Sequence, residues 1–289
     1  MQTPAFDIYQ PATPRCGVIF ASPHSGRDYH PAFLARASLD PLSLRSSEDA
    51  FVDRLFGAAP AQGAPLIAAR LPRAWIDFNR SPDELDPALI DGLPRVALTP
   101  RISAGLGVVP RVVAGGRAIY RGKLSRSEAE ARITASWHPY HRALRRLMEE
   151  TCARFGQAVL IDCHSMPHEA LEAGMRGTAP RPQVVLGDRF GTSACGEIVE
   201  RIEHAFRAAG LRVARNAPFA GAYVAEHYGR PAQGWHVVQV EIDRALYMDE
   251  CRIAPSPRFA ALQGLLQGVI AELVKLGGSD GAAMPLAAE

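Results

Sequence analysis

The stretch Ala158–Cys163, AVLIDC, is the clearest buried strand in the chain, and it ends at His164. Four apolar residues precede any charge, so both faces of this strand need cover. A short apolar run of this kind is the mark of a sheet with helices packed on each side. Upstream, Ser127 to about Phe155 has the periodicity of a long amphipathic helix that Pro139 should kink or split. Downstream, a loop rich in Gly and Pro leads to a strand at Gln183–Gly187 and a helix at about Thr192–Ala209. Further strands are expected at Leu211–Arg215 and Trp235–Ile242, then a helix from about Pro257 to Leu276. Nearer the N-terminus, residues 17–22 (GVIFAS) form a second buried strand. A helix from Glu48 to about Ala59, capped by Ser46 or Ser47, should follow, with short strands at Leu66–Ala69 and Ala74–Phe78. Residues 81–122 hold little periodicity and are read as an irregular excursion.

Strands alternating with helices imply an α/β fold, with chemistry collected at the strand ends. No repeat or linker divides the 289 residues, so one domain is expected over 1–289, with 277–289 as a frayed tail. The 32 basic and 30 acidic residues leave a net charge of +2, which gives no electrostatic footprint for nucleic acid. No stretch of about 18 apolar residues suggests a membrane span, and the N-terminus lacks a secretory pattern. Five scattered cysteines without a CxxC pair fit neither a disulfide framework nor a cysteine–zinc site, so a cytoplasmic setting is expected.

Several motifs fail on inspection. Gly105-Leu-Gly107 lacks a third glycine and a following helix, and Gly191-Thr-Ser193-Ala-Cys195 ends on Cys where a nucleophile elbow needs Gly. Cys163 and His164 are neighbours on a strand and should face opposite ways, which argues against a nucleophile–base pair. His138 and His141 share a helical face but have no third metal ligand nearby, so packing is the simpler role.

Three strand ends remain. Ser22-Pro23-His24-Ser25-Gly26 presents His24 on a tight turn, Ile161-Asp162-Cys163-His164 delivers His164 to a loop, and Val240-Glu241-Ile242-Asp243-Arg244 places acids in an apolar strand. Burying Glu241 unpaired would cost several kcal/mol, so a cation, a metal or a catalytic task is expected there; an Arg partner is the plainer alternative. Asp49, or its neighbour Glu48, could add a carboxylate to the two histidines. Two histidines and a carboxylate with a fourth position open form a catalytic zinc pattern.

These residues also carry a resemblance. SPHSG, EDAFVD (Glu48–Asp53), DFNR (Asp77–Arg80), PYHRAL (Pro139–Leu144), IDCHSMP, VVLGDR (Val184–Arg189), APFAGAY (Ala217–Tyr223) and QVEIDRALYMDE (Gln239–Glu250) occur in one order. Together they resemble the N-formylglutamate amidohydrolase family, itself distantly similar to zinc carboxypeptidases and succinylglutamate desuccinylase-type deacylases. The resemblance implies a three-layer α/β/α fold with a mixed sheet, of the phosphorylase/hydrolase-like kind, and hydrolysis of N-formyl-L-glutamate to formate and L-glutamate in histidine degradation. It implies one zinc ion, or another divalent metal, on His24, Asp49 and His164, with Glu241 as general base and then acid. Asn79 and Arg80 look similar to the Asn-Arg pair that holds a terminal carboxylate in zinc carboxypeptidases; Arg244 is the candidate for the second carboxylate. Asp162 is expected to orient a ligand histidine. The family often has Asn where this chain has Asp243. Rival readings are a hydrolase of another N-acyl amino acid or peptide, a non-catalytic binding member, and a cysteine hydrolase through Cys163.

Overall fold

The computed structural model describes residues 4–94, 99–174 and 181–277. Seven strands, β1 (Phe6–Tyr9), β2 (Val18–Ser22), β3 (Leu66–Ala69), β4 (Ala158–Met166), β5 (Val184–Gly187), β6 (Val213–Arg215) and β7 (Trp235–Asp243), form one sheet in the order β1-β3-β2-β4-β7-β5-β6. The four strands β3, β2, β4 and β7 run parallel, whereas β1 is antiparallel to β3 and β5 is antiparallel to β7. The sheet is therefore mixed. All nine residues of β4 are buried, as a central strand covered on both faces requires.

Alternate side chains feed two cores. Val18, Phe20, Ile161, Cys163 and Val240 pack beneath α3 (Val52–Leu55), α8 (Gly196–Ala208) and α10 (Phe259–Leu273), counting helices in chain order. Ile19, Ala21, Leu160 and Val237 face α5 (Arg126–Arg132), α6 (His138–Phe155) and α9 (Tyr223–Tyr228). Each fully buried aliphatic side chain stabilises the fold by about 1.5–3 kcal/mol relative to exposure. The remaining helices, α1 (Pro31–Arg36), α2 (Pro41–Arg45), α4 (Pro100–Ser103) and α7 (His168–Gly174), are short and belong to connections.

The structure departs from expectation in several places. No helix runs from Glu48 to Ala59: Phe51 takes a left-handed φ of +68°, which breaks a right-handed helix, and α3 begins only after it. Neither Ser46 nor Ser47 is the N-cap of α3, a position held by Phe51; Ser46 instead closes the C-terminus of α2, and Asp49 precedes α3. Ala74–Phe78 is not a strand, because Trp75 N–H donates to Pro72 O at 2.9 Å and closes a turn. Its apolar alternation reflects burial of Ala74, Ile76 and Phe78 without sheet pairing. β4 continues past His164 to Met166. The long helix starts at Ser125, whose side chain accepts from Glu128 N–H, and splits as expected: a π-helical turn over Ile133–Trp137 separates α5 from α6, next to Pro139. The window Phe259–Leu276 is long and apolar enough for a membrane span, contrary to expectation, yet Leu262, Leu266, Ile270 and Leu273 pack into the core. The tail expected beyond Gly277 lies outside the described residues.

Candidate metal centre

Side chains on one face of the sheet converge at the C-terminal ends of β2, β4 and β7. His24 follows β2 after Pro23, on a turn held down by Gly26; a Cβ there would lie 2.0 Å from Leu71 O, so only glycine fits. Asp49 N–H donates to His24 O at 3.0 Å, which brings that carboxylate beside the histidine. On β4, Asp162 and His164 alternate with Ile161 and Cys163, and the register pairs His164 with Glu241 of β7. The period of two thus puts both polar pairs on the cavity side and Cys163 on the other.

His24, Asp49 and His164 bring one ligand atom each within 4.8 Å of the others, and all three are buried. His164 Nδ1 lies 2.9 Å and His24 Nδ1 3.3 Å from the same Asp49 oxygen, Oδ2. Both Nε2 atoms are held from behind, His24 by Asp77 Oδ1 at 2.7 Å and His164 by Asp162 Oδ2 at 3.0 Å. A carboxylate on the far nitrogen keeps the proton there and leaves the near lone pair for a metal. The triad passes a direct test for such an ion: His24 Nδ1 is buried and has no hydrogen-bond partner. Burial pushes the Asp49 carboxyl up, but the hydrogen bond from His164 and the nearness of both imidazoles outweigh it and hold it well below the ordinary range. Burial opposes charge on His164, yet Asp162 and Asp49 raise its pKa well above the ordinary imidazole value. This pocket attracts positive charge.

Of the two carboxylates left open by sequence, Asp49 is the one that meets both histidines. Glu48 is taken up by Tyr29 OH at 2.7 Å and by Arg45 Nε at 3.1 Å, and it has no place in the triad. Glu241 is buried, and Gln239 Nε2 donates to its Oε1 at 2.8 Å. Burial pushes its pKa up to about 7, with His164, Arg244 and Arg73 pulling down and Asp49 pushing up. Among the described residues no Arg neutralises it through a hydrogen bond, unlike the plain ion-pair alternative.

The two residues expected to contact substrate beside Arg80 both line the cavity and also make contacts within the protein. Asn79 Nδ2 donates to Asp162 Oδ2 at 3.2 Å, and its Oδ1 accepts from Val224 N–H at 2.7 Å, satisfying an open donor at the start of α9. It is a strut between β4 and α9. Arg244 Nη2 donates to Asp49 Oδ1 at 3.0 Å and its Nε to Ser165 Oγ at 3.2 Å, so its fork already holds a carboxylate. Arg80 does stand on the cavity wall, anchored by Nε to Leu106 O at 3.0 Å and by Nη1 to Asn79 O at 2.8 Å. Its backbone is clamped in turn, since Trp137 Nε1 donates to Arg80 O at 3.0 Å. Asp243 caps Ala245 N–H and meets His168 Nδ1 at 2.9 Å.

Sequence reading missed Asp77 and Arg73. Asp77 Oδ2 accepts from Arg73 Nε at 2.8 Å; burial raises the Asp77 carboxyl, but Arg73, His24 and Arg80 hold it well below the usual range. The DFNR string contained Asp77, but nothing local said that it reaches a histidine 53 residues away. His141 is a packing residue: its ring nitrogens meet Tyr228 OH at 3.0 Å and Phe78 O at 2.9 Å, and burial depresses its pKa to about 3. Burial likewise pushes the Cys163 thiol well up, unsuited to a nucleophile.

The triad, Glu241, Arg80 and Arg244 all line one open cavity of about 750 Å³. The profile of the N-formylglutamate amidohydrolase family matches residues 16–248. A Pseudomonas aeruginosa protein named N-formylglutamate deformylase is 32% identical over 268 residues, covering 90% of this chain and 92% of that one. A Pseudomonas putida protein of the same name is 29% identical over 270 residues, covering 89% and 93%. The crystal structure of N-formylglutamate amidohydrolase from Ralstonia eutropha JMP134 superposes with a TM-score of 0.89 at 34% identity, over 95% of this chain and 99% of that one.

Proposed function

From the premise that the chain belongs to the N-formylglutamate amidohydrolase family, we propose that it is a metal-dependent deformylase that hydrolyses N-formyl-L-glutamate to formate and L-glutamate. One observation carries the chemistry: two carboxylate-backed histidines and Asp49 converge in a cavity that also exposes a buried carboxylate with a pKa near neutrality. His24, Asp49 and His164 would hold the ion, and their nitrogen and oxygen donors suit zinc. Bound there, zinc supplies Lewis acidity towards the formyl carbonyl and the attacking water.

Glu241 does the proton work. Its Oε1 is fixed by Gln239, and its ionised carboxylate removes a proton from water as the oxygen attacks the formyl carbon. The protonated carboxyl then delivers that proton to the amide nitrogen, the C–N bond breaks, and the formic acid released gives its proton to the amine, leaving formate and the ammonium form of glutamate. A pKa near 7 suits both halves of this cycle, since the group must accept and release one proton at the same pH. Arg80 orients the substrate by its α-carboxylate, and Arg244 keeps Asp49 in place.

Metal analysis joined to formate release tests the reading. One divalent ion per chain is expected, with formate release from N-formyl-L-glutamate that a chelator abolishes and zinc restores. Full turnover in metal-free protein, or no formate release from the loaded protein, overturns it.

A further inference from the structure

Arg101 sits on α4, at the rim of the same cavity, and differs from the other arginines there. Arg73 is paired with Asp77, Arg244 with Asp49, and Arg80 is tied to two backbone carbonyls. Arg101 is exposed and, among the described residues, its side chain has no hydrogen bond or ion pair. Its backbone is nevertheless well anchored. Thr99 Oγ1 caps Ile102 N–H at 3.3 Å, and Ser103 O accepts from Arg111 Nη2 at 3.2 Å. Arg111 is itself fastened to buried Asp86 at 2.7 Å. The same loop supplies Leu106 O to Arg80, so the backbone that carries Arg101 is held beside Arg80.

Arg80 senses that relation. Burial disfavours its charge first, Asp77 opposes that effect, and repulsion from Arg73 and Arg101 adds to it. Two like charges with donors turned to one cavity are relieved by a ligand bearing two anionic groups. In an N-acyl glutamate the α-carboxylate is one carbon from the reacting nitrogen, and the second carboxylate lies two methylenes farther out. Arg80 adjoins Asn79, which touches the backing of His164, and so serves the inner group. Arg101, at the exposed rim, is placed for the outer one.

The geometry points to Arg101 as the specificity-determining residue that recognises the distal carboxylate of an N-acyl dicarboxylic amino acid, the task that sequence assigned to Arg244. The inference rests on the deformylase reading above. Arg suits the task because its planar fork matches a carboxylate bidentately.

The test compares metal-loaded wild type, Arg101→Gln and Arg101→Lys on N-formyl-L-glutamate and N-formyl-L-glutamine. Calorimetric binding of L-glutamate and L-glutamine to the same proteins runs alongside. Loss of a partly exposed charge-assisted contact should lower kcat/KM of Arg101→Gln for formylglutamate by about 10- to 30-fold, mainly through KM. Turnover of formylglutamine should stay within about twofold, binding should lose its preference for glutamate, and Arg101→Lys should restore part of it. Equal losses on both substrates, or an unchanged preference in Arg101→Gln, overturn the assignment. Wild type that releases no formate defeats the deformylase reading instead. The binding arm then still decides Arg101: absence of a glutamate preference in wild type, or its persistence in Arg101→Gln, overturns the proposal.

Discussion

Glu241 is 7% exposed and feels the charges of His164, Asp49, Arg244 and Arg73, yet burial raises its pKa to about 7. Removing only its charge should therefore separate catalysis from binding. Glu241→Gln is expected to retain a full equivalent of metal while kcat falls about 10²- to 10⁴-fold, the range for general acid–base groups; metal analysis and formate release check both halves. The pH profile follows with a definite sign. The active form is the carboxylate, so kcat/KM falls as pH drops through its pKa. A bound cation favours that carboxylate and moves the acid limb below 7, whereas Arg244→Gln removes a positive neighbour and moves it up. Rates measured from about pH 5 to 9 would read the shift. Behind the ligands, Asp77→Asn should weaken metal affinity by about 10- to 100-fold, measured by chelator competition, because His24 loses the carboxylate that orients it.

At the scale of elements, the strands were legible because burial on two faces writes itself as a local pattern. β4 and β7 interleave apolar residues with Asp162, His164, Gln239 and Glu241, and the period of two sorts these onto the cavity side. The Glu48–Ala59 helix was not legible as a break. Its composition suits a helix, and only packing forces Phe51 to positive φ. Ala74–Phe78 misled for the related reason that burial of alternate residues does not require sheet pairing. The β2 turn makes a strong test of element geometry. Gly26→Ala places a methyl against Leu71 O at 2.0 Å, so backbone must move, and His24 with it. The variant should lose about 1–3 kcal/mol of stability and bind metal more weakly, as thermal melts with and without zinc would show. Cys163→Ala, on the opposite face of β4, should lose stability but keep near wild-type kcat.

Across the whole molecule, the site is a junction of distant segments, so the ion should act as a staple. With metal at about 100 times its dissociation constant, linkage stabilises the fold by about 2.7 kcal/mol. Chelation should then lower Tm by about 4–8 °C for a chain of this size, measured by calorimetry. His164→Ala should abolish that shift. Sequence alone determined the α/β class, the main strands, and His24, His164 and Glu241 as strand-end groups, because these depend on periodicity within a few residues. Tertiary structure decided that Asp49, and not Glu48, lies beside the two histidines, and it brought Asp77 to His24 and Arg244 to Asp49. The reason is physical. His24–Asp77, His164–Asp49 and Arg244–Asp49 bridge 53, 115 and 195 residues, and which partner a side chain meets is set only when the sheet has closed.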